Sequence, residues 1–340
     1  MKRLVLLFTI LISALSVQAQ TQERIDTVII TLQNGNEVRY TSDQFDRVQI
    51  IFNLEYGVKV YQKSGKSKDY LATKVVVAKY QTGGDIVIDM NANRNKDRAK
   101  LLEYPHLAED PSMNQLIIKS TDDYGITFSL EWSYADKANR WTCYQLHSGN
   151  MLNNVSRKDA FKEDTEIPEE YRSTLSDYSG SGFSRGHLCP SSDRLCSREQ
   201  NSQTFYLSNM QPQYQAHNGG LWATLENKVQ SWATKCDTLY VVKAGTIRSD
   251  QILSVKCNGK LIVPKYFYMA LLAYDKSTDT YQAIGLWTEH KNANESFSQL
   301  ANYAKTINQL EELTGIDFFC NLPDDIEEEV EKQYNLNYWK

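Results

Sequence analysis

From Phe183 to Pro190 the chain reads Phe-Ser-Arg-Gly-His-Leu-Cys-Pro, and the side chains best suited to chemistry are Arg185 and His187. In an extended segment residues two apart face the same side, so a guanidinium and an imidazole would meet one substrate. Gly186 between them lets the backbone come close. This pairing suits phosphodiester chemistry, in which a fixed cation stabilises charge developing on phosphoryl oxygens and a neutral imidazole takes a proton from water. Further along come Leu207-Ser208-Asn209-Met210-Gln211-Pro212-Gln213, then His217-Asn218-Gly219-Gly220-Leu221-Trp222, then Glu226. Taken alone, Asn218 before two glycines reads as a turn or helix cap. Glu226 alone reads as a solvated helix acid, and Asn209 as buried polar support of a strand end. Arg157, in Ser156-Arg157-Lys158-Asp159, alone reads as an ordinary surface side chain.

These groups need a scaffold. Leu221, Trp222, Leu225, Val229 and Trp232 recur at near-helical spacing and predict a helix from His217 to about Lys235, with Asn218 at its N-terminal end and Glu226 two turns along. Phe297, Leu300, Tyr303, Ala304, Ile307, Leu310 and Leu313 predict a second helix stopped by Gly315. Strands are expected at Thr204 to Leu207, Leu239 to Val242, Tyr266 to Ala273 and Tyr281 to Leu286, giving an α+β domain with an antiparallel sheet. Ahead of it, short β-branched runs (27–32, 37–40, 48–52, 58–61, 73–78) predict a small all-β domain over 20–105, with Asn34-Gly35 as the best hairpin turn. It carries no catalytic constellation, and its partner is unknown. Residues 91 to 114 are polar and of mixed charge, as in a connection to the domain spanning 106–340.

The basic start (Lys2, Arg3), the apolar run from Leu4 to about Val17 and the small residue Ala19 read as a signal peptide over 1–19, hence an exported protein, periplasmic or secreted. No later run is long and apolar enough for a membrane span. Six cysteines follow, an even number that permits up to three disulfides, but no Cys-x-x-Cys pair suggests structural zinc. Without Lys2 and Arg3 the chain has 35 basic and 42 acidic side chains, a formal charge of −7. That excludes a broad nucleic-acid coating protein more readily than an enzyme with a local basic cleft.

Three motifs in order resemble the DNA/RNA non-specific endonucleases, the secreted sugar-non-specific nuclease and endonuclease G type of the ββα-metal, or His-Me finger, superfamily. They are Ser184-Arg185-Gly186-His187, Tyr206 to Gln213, and Asn218 to Glu226, supported by Leu322-Pro323-Asp324-Asp325. The likeness runs from about residue 115 to 335. It implies a ββα-metal fold with a central antiparallel sheet flanked by helices, and hydrolysis of DNA and RNA to 5′-phosphate and 3′-hydroxyl ends. It further implies His187 as general base, Asn218 as the sole direct protein ligand of Mg2+ (Mn2+ being an alternative), and Glu226 holding metal water. Arg185 and Arg157 would lie on phosphate and Asn209 near the base, in what is by analogy a homodimer. Two positions depart from the pattern: Ser184 stands where Asp is usual, and Gln230, one turn after Glu226, where some members carry Arg. These departures and the net acidity keep open a catalytically weak nucleic-acid-binding or surface protein on a nuclease fold. His217 keeps open ligation of a transition metal.

Overall fold

The computed structural model describes residues 9–13, 27–32, 36–41, 44–51, 57–71, 75–81, 85–87, 92–93, 99–108 and 110–340. The chain divides into two units, the first made mainly of Met1–Met90 and the second of Asn91–Leu322 and Ile326–Lys340.

The first unit is all β among its described residues. One sheet has the order β1 (Thr9–Ser13), β4 (Phe45–Ile51), β5 (Gly57–Gln62), β6 (Ser67–Leu71); the other has β3 (Glu37–Thr41), β2 (Thr27–Leu32), β7 (Val75–Gln81), β8 (Asp85–Val87). The β2–β3 hairpin registers Thr31 on Glu37, as the Asn34-Gly35 signal demands, although Asn34 and Gly35 themselves lie outside the described residues. Val28, Ile29, Ile30, Tyr40 and Val60 are buried. Of the expected leader, only Thr9–Ser13 is described, and it pairs with β4.

In the second unit the stretch expected as a polar connection is exposed at Lys100 and at 110–113 but packed around Asn93 and Tyr104. Asn93 donates to the Pro105 carbonyl at 3.0 Å and accepts from the Leu107 N–H at 2.9 Å, and Tyr104 is fully buried with its hydroxyl 2.6 Å from Ser129 Oγ.

From there the chain builds β9 (Asn114–Thr121), β10 (Gly125–Ser133), β11 (Ala138–Leu146), β14 (Thr238–Gly245), β15 (Tyr266–Asp275), β16 (Thr280–Glu289) and β17 (Ala304–Lys305) into one antiparallel sheet. Its order is β17-β16-β15-β14-β11-β10-β9. Seven consecutive residues of β10 and seven of β15 are buried; β15 accordingly reads as an apolar run, whereas β10 alternates Phe128, Leu130 and Trp132 with Thr127, Ser129 and Glu131 although both of its faces are covered. Between β11 and β14 lies the module that carries the site: β12 (Ser184–His187) and β13 (Met210–Gln213) pair antiparallel, followed by α3 (Gln215–His217), a widened turn over Asn218–Trp222, and α4 (Ala223–Ala233). Leu225, Val229 and Trp232 bury the inner face of α4 in the same core as Val241 and Leu271.

Two expected elements differ. Thr204 to Leu207 is not a strand: α2 (Arg198–Gln203), capped by Ser197, runs into this stretch, and a 3-10 turn follows at Leu207–Asn209 before β13. The second helix is shorter than its apolar stripe, since α5 spans only Ile307–Thr314. Thr306 caps it by accepting from Gln309 N–H, and Gly315 ends it with a positive φ of 71°. Phe297, Leu300 and Tyr303 pack against the core from a loop and a 3-10 turn instead. All six cysteines are free thiols, five of them buried.

Candidate active site

The register of β12 on β13 sets Arg185 opposite Pro212 and His187 opposite Met210, so both functional side chains leave the same face of the ribbon. Gly186 leaves the other face, where a Cβ would lie 2.3 Å from the buried Gln213 Oε1. The glycine is therefore required by packing. From this ribbon the chain turns into α3, and the widened turn contains Gly220 at φ −107°, ψ −108°, outside helical space. Two adjacent glycines make that departure inexpensive, and it sets Asn218 at the mouth of α4.

A cleft of about 800 Å3 is lined by Arg157, Arg185, His187, Asn218 and Glu226 among others. Of the six residues expected to form the site, it brings together these five. The sixth, Asn209, does not line it: its Oδ1 accepts from Cys189 N–H at 2.9 Å and its Nδ2 donates to the carbonyls of Cys189 and Thr204 at 2.8 and 2.9 Å. Fully buried and saturated, it staples the chain leaving β12 to the turn before β13.

His187 is half-buried between two phenyl rings, edge-on to Phe205 at 5.0 Å and tilted to Phe161 at 5.8 Å. Its Nε2 is buried without a partner, so Nδ1 is the ring nitrogen left accessible in the cleft. Burial, and next the Arg157 guanidinium, lower its pKa to about 3, with Arg185 adding to the effect. The imidazole is thus neutral and able to accept a proton. Arg185 stacks its guanidinium on Phe161 at 3.9 Å and has no ion pair among the described residues, leaving its donors for a phosphate. Arg157 lies over Phe205 at 5.2 Å and pairs with Asp159 at 2.8 Å, both exposed. Ser184 Oγ donates to Gln215 Oε1 at 2.6 Å, joining the start of β12 to α3.

Glu226, in the first turn of α4, is 17% exposed; its Oε1 accepts from Lys243 Nζ at 3.3 Å. Burial raises its pKa to about 7 against the pull of Lys243, with Asp193 adding to the rise. Gln230 does not reach Glu226's partner but donates to Asp193 Oδ1 at 2.6 Å, and Tyr144 donates to Asp193 Oδ2 at 2.8 Å. Sequence reasoning missed Lys243, Asp193 and the two phenylalanines. Lys243 had a signal, as the only charged residue in Leu239–Gly245; Phe161 and Phe205 had none. His217, whose ring nitrogens could have suggested a metal ligand, is buried against Thr288 and His290, and no group of three His, Cys, Asp or Glu suited to a metal occurs among the described residues.

The donor set of the cleft fits a hard, hydrated cation. Asn218 is partly exposed and its amide has no hydrogen bond among the described residues, so its oxygen is available, and Glu226, the one carboxylate among the cleft's lining residues, suits holding water more than replacing it.

A family model described as DNA/RNA non-specific endonuclease matches residues 115–325. A nuclease of Nostoc sp. is 31% identical over 226 residues, covering 65% of this chain and 78% of its own length. Nuclease C1 of Cunninghamella echinulata is 33% identical over 207 residues, covering 58% and 81%. The mitochondrial nuclease EXOG of Homo sapiens is 29% identical over 204 residues, covering 57% and 55%. Among solved structures, the EndoG/EndoGI complex shares the fold of this chain with a TM-score of 0.54 at 22% identity, over 62% of this chain and 88% of the other. With the ββα module and its cleft in place, the chain belongs to the DNA/RNA non-specific endonuclease family, hydrolases of phosphodiester bonds in nucleic acids.

Proposed function

We propose that this chain is an exported, magnesium-dependent endonuclease that cuts DNA and RNA with little regard to sequence, using His187 as general base. One observation carries the reading: Arg157, Arg185, His187, Asn218 and Glu226 line a single cleft. The neutral His187 takes a proton from the attacking water through its accessible Nδ1. Arg185, held flat by Phe161, offers its donors to the scissile phosphate as negative charge grows, and Arg157 does so from the exposed rim. Asn218 would hold the cation with its amide oxygen, and Glu226 would order its water. A divalent cation bound there would polarise the phosphate and neutralise the departing 3′-oxygen, leaving 5′-phosphate ends. Contacts of this kind reach the sugar-phosphate backbone and carry no base information, which supports indifference to sequence.

Export rests on the basic-then-apolar start of the chain, and a homodimer on resemblance alone. The test is incubation of the purified chain with supercoiled plasmid and with single-stranded RNA, in magnesium, manganese or chelator, followed by end-group analysis. Cleavage of both substrates only with the cation, leaving 5′-phosphates, is the expected result. Intact nucleic acid that is nonetheless retained in a salt-dependent manner would replace the enzyme reading with a binding one.

A further inference from the structure

Lys243 is the feature that the proposed reaction leaves unexplained. It stands in the middle of β14, flanked by Val241, Val242 and Ala244, and its side chain is fully buried. A buried ammonium is costly unless it is paired and hydrogen-bonded, and an apolar residue would pack in this strand without that cost. Its one hydrogen bond among the described residues goes to Glu226 Oε1 at 3.3 Å. The other carboxylate in the neighbourhood, Asp193, is satisfied by neutral donors, Gln230 and the Tyr144 hydroxyl. The rings of Tyr144 and Trp222 stand 5.6 and 5.8 Å from Nζ.

We propose that Lys243 is a positioning residue of the nuclease site, which from the sheet beneath the cleft holds the Glu226 carboxylate in place and aimed at the cation. The helix itself cannot do this, because one turn beyond Glu226 it carries Gln230, whose amide is turned to Asp193. The cation beside Glu226 therefore comes from β14 instead of α4. A sheet residue is the stiffer mount: β14 is hydrogen-bonded on both sides, to β11 and β15, and Lys243 sits in register with Thr142 and Met269. Lys243 does not touch substrate in this scheme and acts only through Glu226. The inference rests on the role of Glu226 in the proposed function.

The experiment is a double-mutant cycle on plasmid cleavage at saturating magnesium, with Lys243→Met, Glu226→Gln and the double variant, each with a thermal midpoint. Lys243→Met is expected to lose about 10- to 100-fold in kcat and to melt below the wild type, because the Glu226 carboxylate is left buried without its partner, and Glu226→Gln in the double variant is expected to restore part of that midpoint. The double variant is expected to be no slower than Glu226→Gln alone, because the lysine has nothing left to position. Wild-type activity in Lys243→Met, or losses that multiply in the double variant, would overturn the inference while leaving the nuclease reading intact. Full activity in Glu226→Gln would instead remove the role of Glu226 on which the inference stands, and overturn both. If Lys243→Met does not fold, Lys243→Arg decides: a folded variant retaining most activity supports the inference, whereas a folded inactive one, or failure of this variant too to fold, assigns Lys243 to another task and overturns it.

Discussion

His187 and His217 stand at the two ends of the same ββα module, and burial drives both imidazoles to a pKa of about 3. Their surroundings are otherwise opposite. His187 ends β12 in the cleft, with Arg185 and Arg157 on the flanking phenyl rings and one nitrogen accessible. His217 ends α3 inside the core, 3% exposed, with Nε2 3.2 Å from Thr288 Oγ1 and its ring against Phe267 and His290 at 5.2 Å. A depressed pKa reports desolvation at both positions, but only at the first does the neutral base face a cleft with cations for a phosphate. Access separates the histidine proposed as base from the structural one.

That contrast is broken most severely by removing what the cleft end alone possesses. Asn218→Ala should cost about 10²- to 10³-fold in kcat at fixed magnesium, since among the described residues no group of three His, Cys, Asp or Glu is at hand to hold the cation instead. Initial rates across a magnesium titration check it, and an unchanged rate would move the cation elsewhere. The two arginines should then separate: Arg185→Ala by about 10²-fold, Arg157→Ala by about tenfold. Among the described residues Arg185 pairs with no carboxylate, whereas Arg157 is exposed and shared with Asp159. Equal losses would remove the distinction.

The next effect is on stability. Gly186→Ala presses a methyl group into Gln213 and should lower the urea-unfolding free energy by about 1–3 kcal/mol, with activity falling because β12 shifts. The smallest expected effect concerns the core end. His290 is held neutral down to about 4 by burial, accepting from Tyr214 N–H at 2.7 Å and donating to the Pro264 carbonyl at 2.7 Å. Its unfolded pKa is near ~6.5, so its contribution is complete above that value and is lost as pH falls toward 4, where the unfolded chain takes up a proton that the folded chain refuses. His290→Phe should therefore be less stable at pH 7, having orphaned two backbone groups, yet lose about 1 kcal/mol less than the wild type between pH 6.5 and 5. Urea midpoints at the two pH values measure this; parallel losses would mean that His290 protonates in the folded state.

The sequence made the module legible where local rules govern it. The i, i+2 pairing of Arg185 and His187, the glycine between them, the stripe Leu225, Val229, Trp232, and the Gly315 stop all depend on a few neighbouring residues, and all are realised. It failed where a tertiary contact overrides the local pattern. Phe297 and Tyr303 fit a helical period but pack from irregular chain, because the Thr306 cap starts α5 after them. Thr204 to Leu207 looked extended, yet Asn209 pins this turn to Cys189 and Thr204. The phenyl rings beneath the arginines and the pairing of Lys243 with Glu226 join residues distant in sequence, and no spacing announces them.

The most direct measurement compares His187→Ala with His217→Gln in plasmid cleavage with magnesium, each checked for a native melting transition. A loss of about 10³-fold or more is expected in the first and of less than about tenfold in the second, whose amide can keep the contact to Thr288. Cleavage that survives in His187→Ala, or that vanishes equally in a folded His217→Gln, would contradict the claim that the accessible imidazole of the cleft is the base.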